Sequence, residues 1–276
     1  MAWHAQLQVN YAFENGRTVA RHLHTGPLRI LQSLYPEGDA ICHNVLIHPP
    51  GGLVGGDTLE LNVHAAAHTH ALITTPGATR FYRSAGERAV QRTRLTLQAD
   101  ARLEWLPLEA ICYNDCNALN HLHLELAAGA ELIGWDITSL GLPSAQQPFV
   151  QGQFEQHIEM PGVWLERGQI HGHDSRLLHS PLGLAGHTCM ASLFFIAGTG
   201  LTRPRKEQAL ALARDVIAAH PLASTSGATS PNGHVVVVRV LAPAVEPAMQ
   251  LLKTVRQAWR YGLWNVNASD PRIWAM

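Results

Sequence analysis

Charged residues are scarce in this sequence. Asp, Glu, Lys and Arg make up 15% of the 276 residues, and the net charge is -1 at pH 7. Such a chain has no positive field for a polyanion, so neither nucleic acid nor an anionic membrane is an expected partner. Apolar residues make up 46% of the chain. This balance predicts a surface that is partly covered by another protein.

Targeting and membrane-spanning patterns are also missing. The first residues lack a basic stretch followed by an apolar core, and no run approaches the roughly 18 apolar residues of a spanning helix. Cysteines number only four, which is too few and too scattered for a disulfide framework in a chain of this length. The sequence therefore predicts a soluble, cytoplasmic protein with reduced thiols.

Common catalytic motifs are absent as well. The sequence contains no His-Glu-x-x-His, Gly-x-Ser-x-Gly, Gly-x-Gly-x-x-Gly or Cys-x-x-Cys. Because catalytic triads assemble from residues that are distant in sequence, this absence does not by itself exclude an enzyme.

Short alternating segments fill the chain from residue 3 to about residue 196. Between residues 58 and 64, for example, Leu59, Leu61 and Val63 occupy one parity, and polar residues occupy the other. A period of two is typical of half-buried strands. The pattern predicts a mainly β body over about residues 1–200.

The pattern changes beyond Gly200, where apolar residues recur at helical spacing. Helices are predicted at about 204–219 and 245–261, with a valine-rich strand at 234–241 between them. This helix-strand-helix element covers about residues 201–263, and a tail follows at 264–276. In the second helix, Arg256 and Arg260 are predicted on the solvent side. We expect one domain over residues 1–276.

Four carboxylates stand in unusual surroundings. Asp57 ends a loop rich in glycine and proline, and Glu109, Asp136 and Glu166 lie in apolar segments that contain tryptophan. A carboxylate in such a place must be paired, hydrated or metal-bound to avoid a cost of several kcal/mol. An ion pair with an arginine is the ordinary explanation for each of them, and a metal-binding role is the alternative.

Histidine is abundant, with 17 residues, nearly as many as the 20 lysines and arginines. Several histidines are spaced two apart, which places both imidazoles of a pair on one face of a strand, about 7 Å apart. Such a pair suits a divalent ion, although solvent-facing polar positions produce the same spacing. The pairs are His22/His24, His68/His70, His121/His123 and His171/His173, and Asp174 adds a carboxylate to the last.

Taken in order, seven segments resemble the UreD (UreH) family of urease accessory proteins. The most specific are His-Pro-Pro-Gly-Gly-x-Val-Gly-Gly-Asp at 48–57 and Thr-Thr-Pro-Gly-Ala-Thr at 74–79. The resemblance extends over essentially the whole chain. The complete set of segments is 26–29, 35–38, 48–57, 74–84, 104–109, 134–136 and 271–275.

The resemblance implies an elongated, β-helix-like stack of strands with two helices near the C-terminus. It also implies an assembly factor without turnover of its own, which binds UreF, UreG and apo-urease. Nickel would pass through an internal water-filled tunnel, so a transient Ni²⁺ is expected and no tightly bound cofactor. Since weak oxygen ligands suit such transit, Asp57, Glu109 and Asp136 are candidate transit residues, and Glu166 is a looser one.

Aromatic residues are concentrated near the end of the chain. Trp259, Tyr261, Trp264 and Trp274 are predicted to form part of a protein interface, and the alternative is that they cap the core. Two other functions compete with the assembly factor. One is a metal-dependent hydrolase that uses the histidine pairs on a β scaffold, and the other is a β-rich interaction module without metal contact.

Overall fold

The structure is a computed structural model that describes residues 2–267 and 269–275. The first half of the chain forms β1 (His4–Glu14), β2 (Arg17–Thr25), β3 (Arg29–Leu34), β4 (Ile41–Ile47), β5 (Gly52–Leu53), β6 (Thr58–Ala65), β7 (His70–Thr74), β8 (Thr79–Phe81), β9 (Ala89–Leu97), β10 (Arg102–Leu106), β11 (Ala110–Cys112), β12 (Cys116–Leu126) and β13 (Glu131–Leu140). The second half forms β14 (Gly152–Met160), β15 (Trp164–His171), α1 (Ser175–His179), β16 (Cys189–Ala197), α2 (Arg203–Ala218), β17 (Ser226–Thr229), β18 (Val235–Ala242) and α3 (Val245–Trp264).

From β4 to β14, successive long strands alternate between two sheets. In the first sheet the order is β15-β14-β12-β9-β6-β1-β2, and the main path of the second is β17-β18-β16-β13-β10-β7-β4-β3. Within each sheet the central neighbours run parallel, as in β6 with β9 and β7 with β10. The chain therefore winds as a β-solenoid of about four turns, which confirms the predicted fold class.

The alternation of side chains explains where the core lies. Leu59, Leu61 and Val63 point between the two sheets and are buried, as their common parity predicts. In β18, all four residues from Val235 to Val238 are buried. Two of them face the core between the sheets, and the other two face a second core under the helices. A continuous valine run is what a strand covered on both faces requires.

Helices α2 and α3 cover the outer face of the second sheet. Both begin and end within three residues of their predicted bounds, and the strand between them lies one residue from its predicted position. The short helix α1 was not predicted. In the described part of the chain, no helix is long and apolar enough to cross a membrane.

One prediction for α3 is wrong. Arg256 and Arg260 are fully buried instead of facing solvent, because both pair with the buried carboxylate of Glu104 on β10. Arg256 Nε lies 2.7 Å from Glu104 Oε2, and Arg260 Nη1 lies 2.5 Å from Glu104 Oε1. Arg260 also pairs with Glu37. We call Glu37, Glu104, Arg256 and Arg260 the helix joint, because these residues tie α3 to the second sheet.

Burial by itself would raise the pKa of Glu104. The charges of Arg256 and Arg260, together with the His70 imidazole whose Nε2 lies 3.6 Å from Glu104 Oε1, outweigh burial and hold this pKa well below its usual range. Glu104 is therefore a permanent anion that compensates two buried cations.

Candidate functional site

A row of polar side chains lies between the two sheets, where the solenoid is otherwise apolar. Gln91 on β9 donates from Nε2 to Asn120 Oδ1 on β12 at 3.4 Å. Asn120 in turn donates from Nδ2 to Asp136 Oδ2 on β13 at 2.8 Å. Gln156 on β14 lies beside the same carboxylate and lowers its pKa. We call Gln91, Asn120, Asp136 and Gln156 the interior polar row.

Asp136 is the ionisable member of this row. Its oxygens are held by amides and by the hydroxyl of Thr138, 3.3 Å from Oδ1, rather than by a guanidinium. Burial raises its pKa to about 6, and the charge of Glu166 adds to the rise, whereas the hydrogen bonds from Gln156, Thr138 and Asn120 oppose it. The predicted explanation of an ion pair with arginine does not apply to Asp136.

Glu166, by contrast, forms an ion pair with an arginine, which is the ordinary explanation for a carboxylate in apolar surroundings. Its Oε2 lies 2.6 Å from Nη2 of Arg239 on β18, in a partly exposed ion pair. The electrostatic effect of Glu166 on Asp136 shows that this pair lies close to the interior polar row.

A cavity of about 250 Å³ reaches the row from one side. His48, Arg80 and Trp105 line it, and Gln91 belongs both to the cavity wall and to the row. Burial lowers the pKa of His48, although the charge of Asp57 opposes this. Continuous polar contacts therefore lead from the cavity to Asp136.

The glycine-rich loop that precedes β6 supplies His48 and Gly51 to the wall of this cavity and packs closely against Tyr82. A Cβ on Gly52 would lie 2.4 Å from the ring of Tyr82, so only glycine allows this approach. At the end of the loop, Asp57 is buried, and both of its oxygens accept backbone N–H groups, from Trp3 at 2.7 Å and from Val54 at 2.9 Å. Asp57 fastens the loop to the start of β1 through these bonds.

Glu109 lies between β10 and β11. Burial raises the pKa of its carboxyl, and the charge of Glu246 on α3 raises it further, while Arg80 lowers it. Arg80 lines the cavity, so Glu109 lies close to the cavity without being part of its lining.

The predicted histidine set at 171–174 is only partly assembled. The rings of His171 and His173 lie 5.3 Å apart, but Asp174 is used as the N-cap of α1, where its Oδ1 accepts the Leu177 N–H at 2.9 Å. Among the described residues, the one set of three metal-type ligand atoms within 4.8 Å of one another is His121, His157 and Glu159. The pair His121/His123 therefore gains neighbours from another strand, which no single-strand pattern reveals.

Three of the four predicted interface aromatics pack inside the chain. Trp259 and Trp264 are buried, with indole N–H groups bonded to Ala209 O and to Glu131 Oε2. This burial corrects the expectation that these two side chains are available to a partner, because α3 turns them toward the sheet. Trp274 is partly buried against Trp135, with ring centroids 5.1 Å apart.

Tyr261 differs from its neighbours because it is 69% exposed. Its role as a contact to a partner stays a prediction.

Comparisons with known proteins give a consistent result. A family model described as UreD urease accessory protein matches residues 4–275. The chain is 67% identical over 276 residues to a urease accessory protein UreD from a Polaromonas species, with 100% of both chains covered. It is 66% identical over 275 residues to that of Variovorax paradoxus, again with full coverage, and 51% identical to that of Leptothrix cholodnii, with 99% of each chain covered.

Proposed function

The chain belongs to the UreD family of urease accessory proteins, and on that premise we propose that it delivers nickel to apo-urease. Family membership gives it a role in urease maturation, as an assembly factor rather than a catalyst. In the proposed function, the cytoplasmic protein binds UreF, UreG and apo-urease, and Ni²⁺ crosses its interior as cargo. Family membership favours this function over a metal-dependent hydrolase.

The interior polar row is the observation that supports nickel transit. It connects a cavity of about 250 Å³ to a carboxylate that forms no ion pair within the described part of the chain, in a space filled mainly with apolar side chains. A divalent ion that enters would relieve the cost of keeping the Asp136 charge buried. Its other ligands would be amide and hydroxyl oxygens, which bind weakly enough to release it.

The four carboxylates have different parts in this proposal. Asp136 is the central ligand, and Glu166 lies beyond it at the pair with Arg239. Glu109 acts from beside the cavity, where its raised pKa reflects a desolvated site. Asp57 already uses both oxygens on backbone N–H groups, so substitution of Asp57 would report on the loop as much as on transit.

The experiment replaces Asp136 with asparagine, which keeps the shape and one acceptor oxygen but removes the charge. The variant is co-expressed with urease, UreF and UreG, and nickel per urease active site is measured together with complex assembly. We expect an intact complex whose urease contains several-fold less nickel. Asp215→Asn is the matched control, because Asp215 is exposed on α2. Full nickel loading by an intact Asp136→Asn complex would contradict transit through the row.

A further inference from the structure

A compact group of metal-type ligands lies on the outer face of the first sheet. β12 and β14 are parallel neighbours, with His121 opposite His157 and His123 opposite Glu159. Because residues two apart on a strand share a face, the four side chains form a two-by-two block. We call His121, His123, His157 and Glu159 the outer histidine block.

The distances between ligand atoms in the block match the distances between two ligands of a bound transition-metal ion. Glu159 Oε1 lies 3.2 Å from His121 Nε2, and Glu159 Oε2 lies 3.3 Å from His157 Nε2. Two ligands bonded to a tetrahedral ion at about 2.0–2.1 Å are separated by about 3.3 Å. One ligand atom from each of these three residues lies within 4.8 Å of the other two, so little movement is needed to place an ion among them.

One buried imidazole nitrogen of the block lacks a hydrogen-bond partner. His157 Nε2 is buried and makes no hydrogen bond, although it lies 3.3 Å from Glu159 Oε2. The His157 ring stacks on His121, with centroids 4.4 Å apart. A buried nitrogen without a hydrogen bond is costly, and ligation would satisfy it.

His123 supplies a supporting contact. Its Nδ1 lies 3.0 Å from Glu159 Oε1, and its Nε2 lies 2.9 Å from Glu125 Oε1. Chains of carboxylate and imidazole of this kind orient metal ligands in known sites. His123 thus holds Glu159 in position from one side and is itself held by Glu125.

The neighbouring arginines do not place an uncompensated positive charge at the block. Arg92 and Arg94 on β9 lie beside His121 and His123 in the sheet. Arg92 approaches Glu60 at 4.0 Å, and Arg94 lies 3.5 Å from Glu125. An open groove of about 380 Å³ is lined by both arginines and by His121, His123 and Glu159 of the block, so an ion can reach these ligands from solvent.

We propose that His121, His157 and Glu159 bind a divalent transition-metal ion of the borderline class, such as Ni²⁺ or Zn²⁺, with His123 positioning Glu159. The site is separate from the interior polar row, because residues of opposite parity on β12 face opposite sides of the sheet. It does not depend on nickel transit through that row.

The test measures binding of the metal alone to the full-length chain. The protein is purified without a polyhistidine tag, stripped with a chelator and titrated calorimetrically with NiCl₂ or ZnCl₂. We expect the tightest site to be one whose affinity falls roughly 10- to 100-fold or more in His157→Ala and in Glu159→Gln. X-ray absorption of the nickel-loaded chain should show imidazole ligands. The matched control is the double variant His171→Ala/His173→Ala, which removes a histidine pair elsewhere and should bind as the original chain does.

Unchanged affinity and stoichiometry in His157→Ala and Glu159→Gln would overturn the proposal, as would absorption spectra without imidazole. Melting curves in chelator show whether each variant is folded, and the spectra of the unsubstituted chain decide the question if one is not. The Asp136→Asn variant should bind the ion at the outer histidine block with the affinity of the original chain. Loss of transit and loss of this site are therefore distinguishable.

Discussion

Asp136 is costly to keep ionised in the folded chain. A carboxyl whose pKa rises from its ordinary value of 3.8 to about 6 binds its proton more tightly in the folded state than in the unfolded state. The contribution of Asp136 to stability is therefore most favourable below the unfolded pKa, becomes less favourable as pH rises from about 4 to about 6, and stays lower above that. The direction is opposite to that of a salt-bridged carboxylate.

We expect Asp136→Asn to be more stable than the original chain at pH 7, by up to roughly 3 kcal/mol, because the amide removes the charge while keeping the shape. The difference between the two proteins should shrink between about pH 6 and pH 4. Urea unfolding across pH 4 to 7.5 measures it. A variant that is less stable at pH 7 would show that the Asp136 charge is compensated.

The sequence identifies Asp136 as a candidate residue, but it does not show which side chains surround its carboxylate. An acidic residue beside Trp135 in an apolar strand was recognisable as a problem of burial. Asn120 and Gln156 lie against the buried carboxylate because of how three strands from two sheets face one another, which the sequence does not show. Similarly, the spacing of His121 and His123 was visible, but the contribution of β14 depends on the strand register.

At the level of elements, the helical period of α3 correctly predicts where the helix begins and ends. It wrongly predicts which residues face solvent. Apolar residues at helical spacing located the helix correctly. The same periodicity assigned Arg256 and Arg260 to solvent, because charged residues usually lie there. Their partner Glu104 is 152 and 156 residues away in sequence, so no local pattern could place them.

The helix joint leads to a stability prediction. Glu104→Gln removes the fully buried charge that Arg256 and Arg260 share and leaves their pairs with Asp270 and Glu37, so the free energy of unfolding should fall by roughly 3–5 kcal/mol. Thermal or urea unfolding measures the change. Glu207→Gln is the control, because Glu207 pairs with Arg203 on the exposed face of α2 and should cost at most about 1 kcal/mol. Equal effects of the two substitutions would mean that the joint contributes no more than a surface pair.

At the scale of the whole molecule, the two ends of the solenoid differ from its middle. Central strands have neighbours on both sides, whereas β2 and β3 are the edge strands of the two sheets at one end. Leu23 on β2 and Leu31 on β3 are each 74% exposed. Exposed apolar side chains on unpaired edges favour association with another chain.

We expect the chain purified alone to self-associate through this end. The double variant Leu23→Ser/Leu31→Ser should remain monomeric to a higher concentration, which light scattering measures. Leu182→Ser is the matched control, since Leu182 is 98% exposed but lies in the loop that follows α1. If Leu182→Ser is as effective as the double variant, general surface apolarity rather than the end of the solenoid causes association.

The long sequence separation within the helix joint also has a consequence for synthesis on the ribosome. Glu104 is translated 152 residues before Arg256 and 156 before Arg260. At translation rates of ~5–20 residues per second, this interval lasts roughly 8 to 30 s. Throughout that time the nascent solenoid carries an uncompensated carboxylate on an apolar sheet face that α3 has yet to cover. The last α-helix to be translated therefore completes the fold, and we expect a polypeptide that ends before residue 256 to be degraded by proteases faster than the full-length chain.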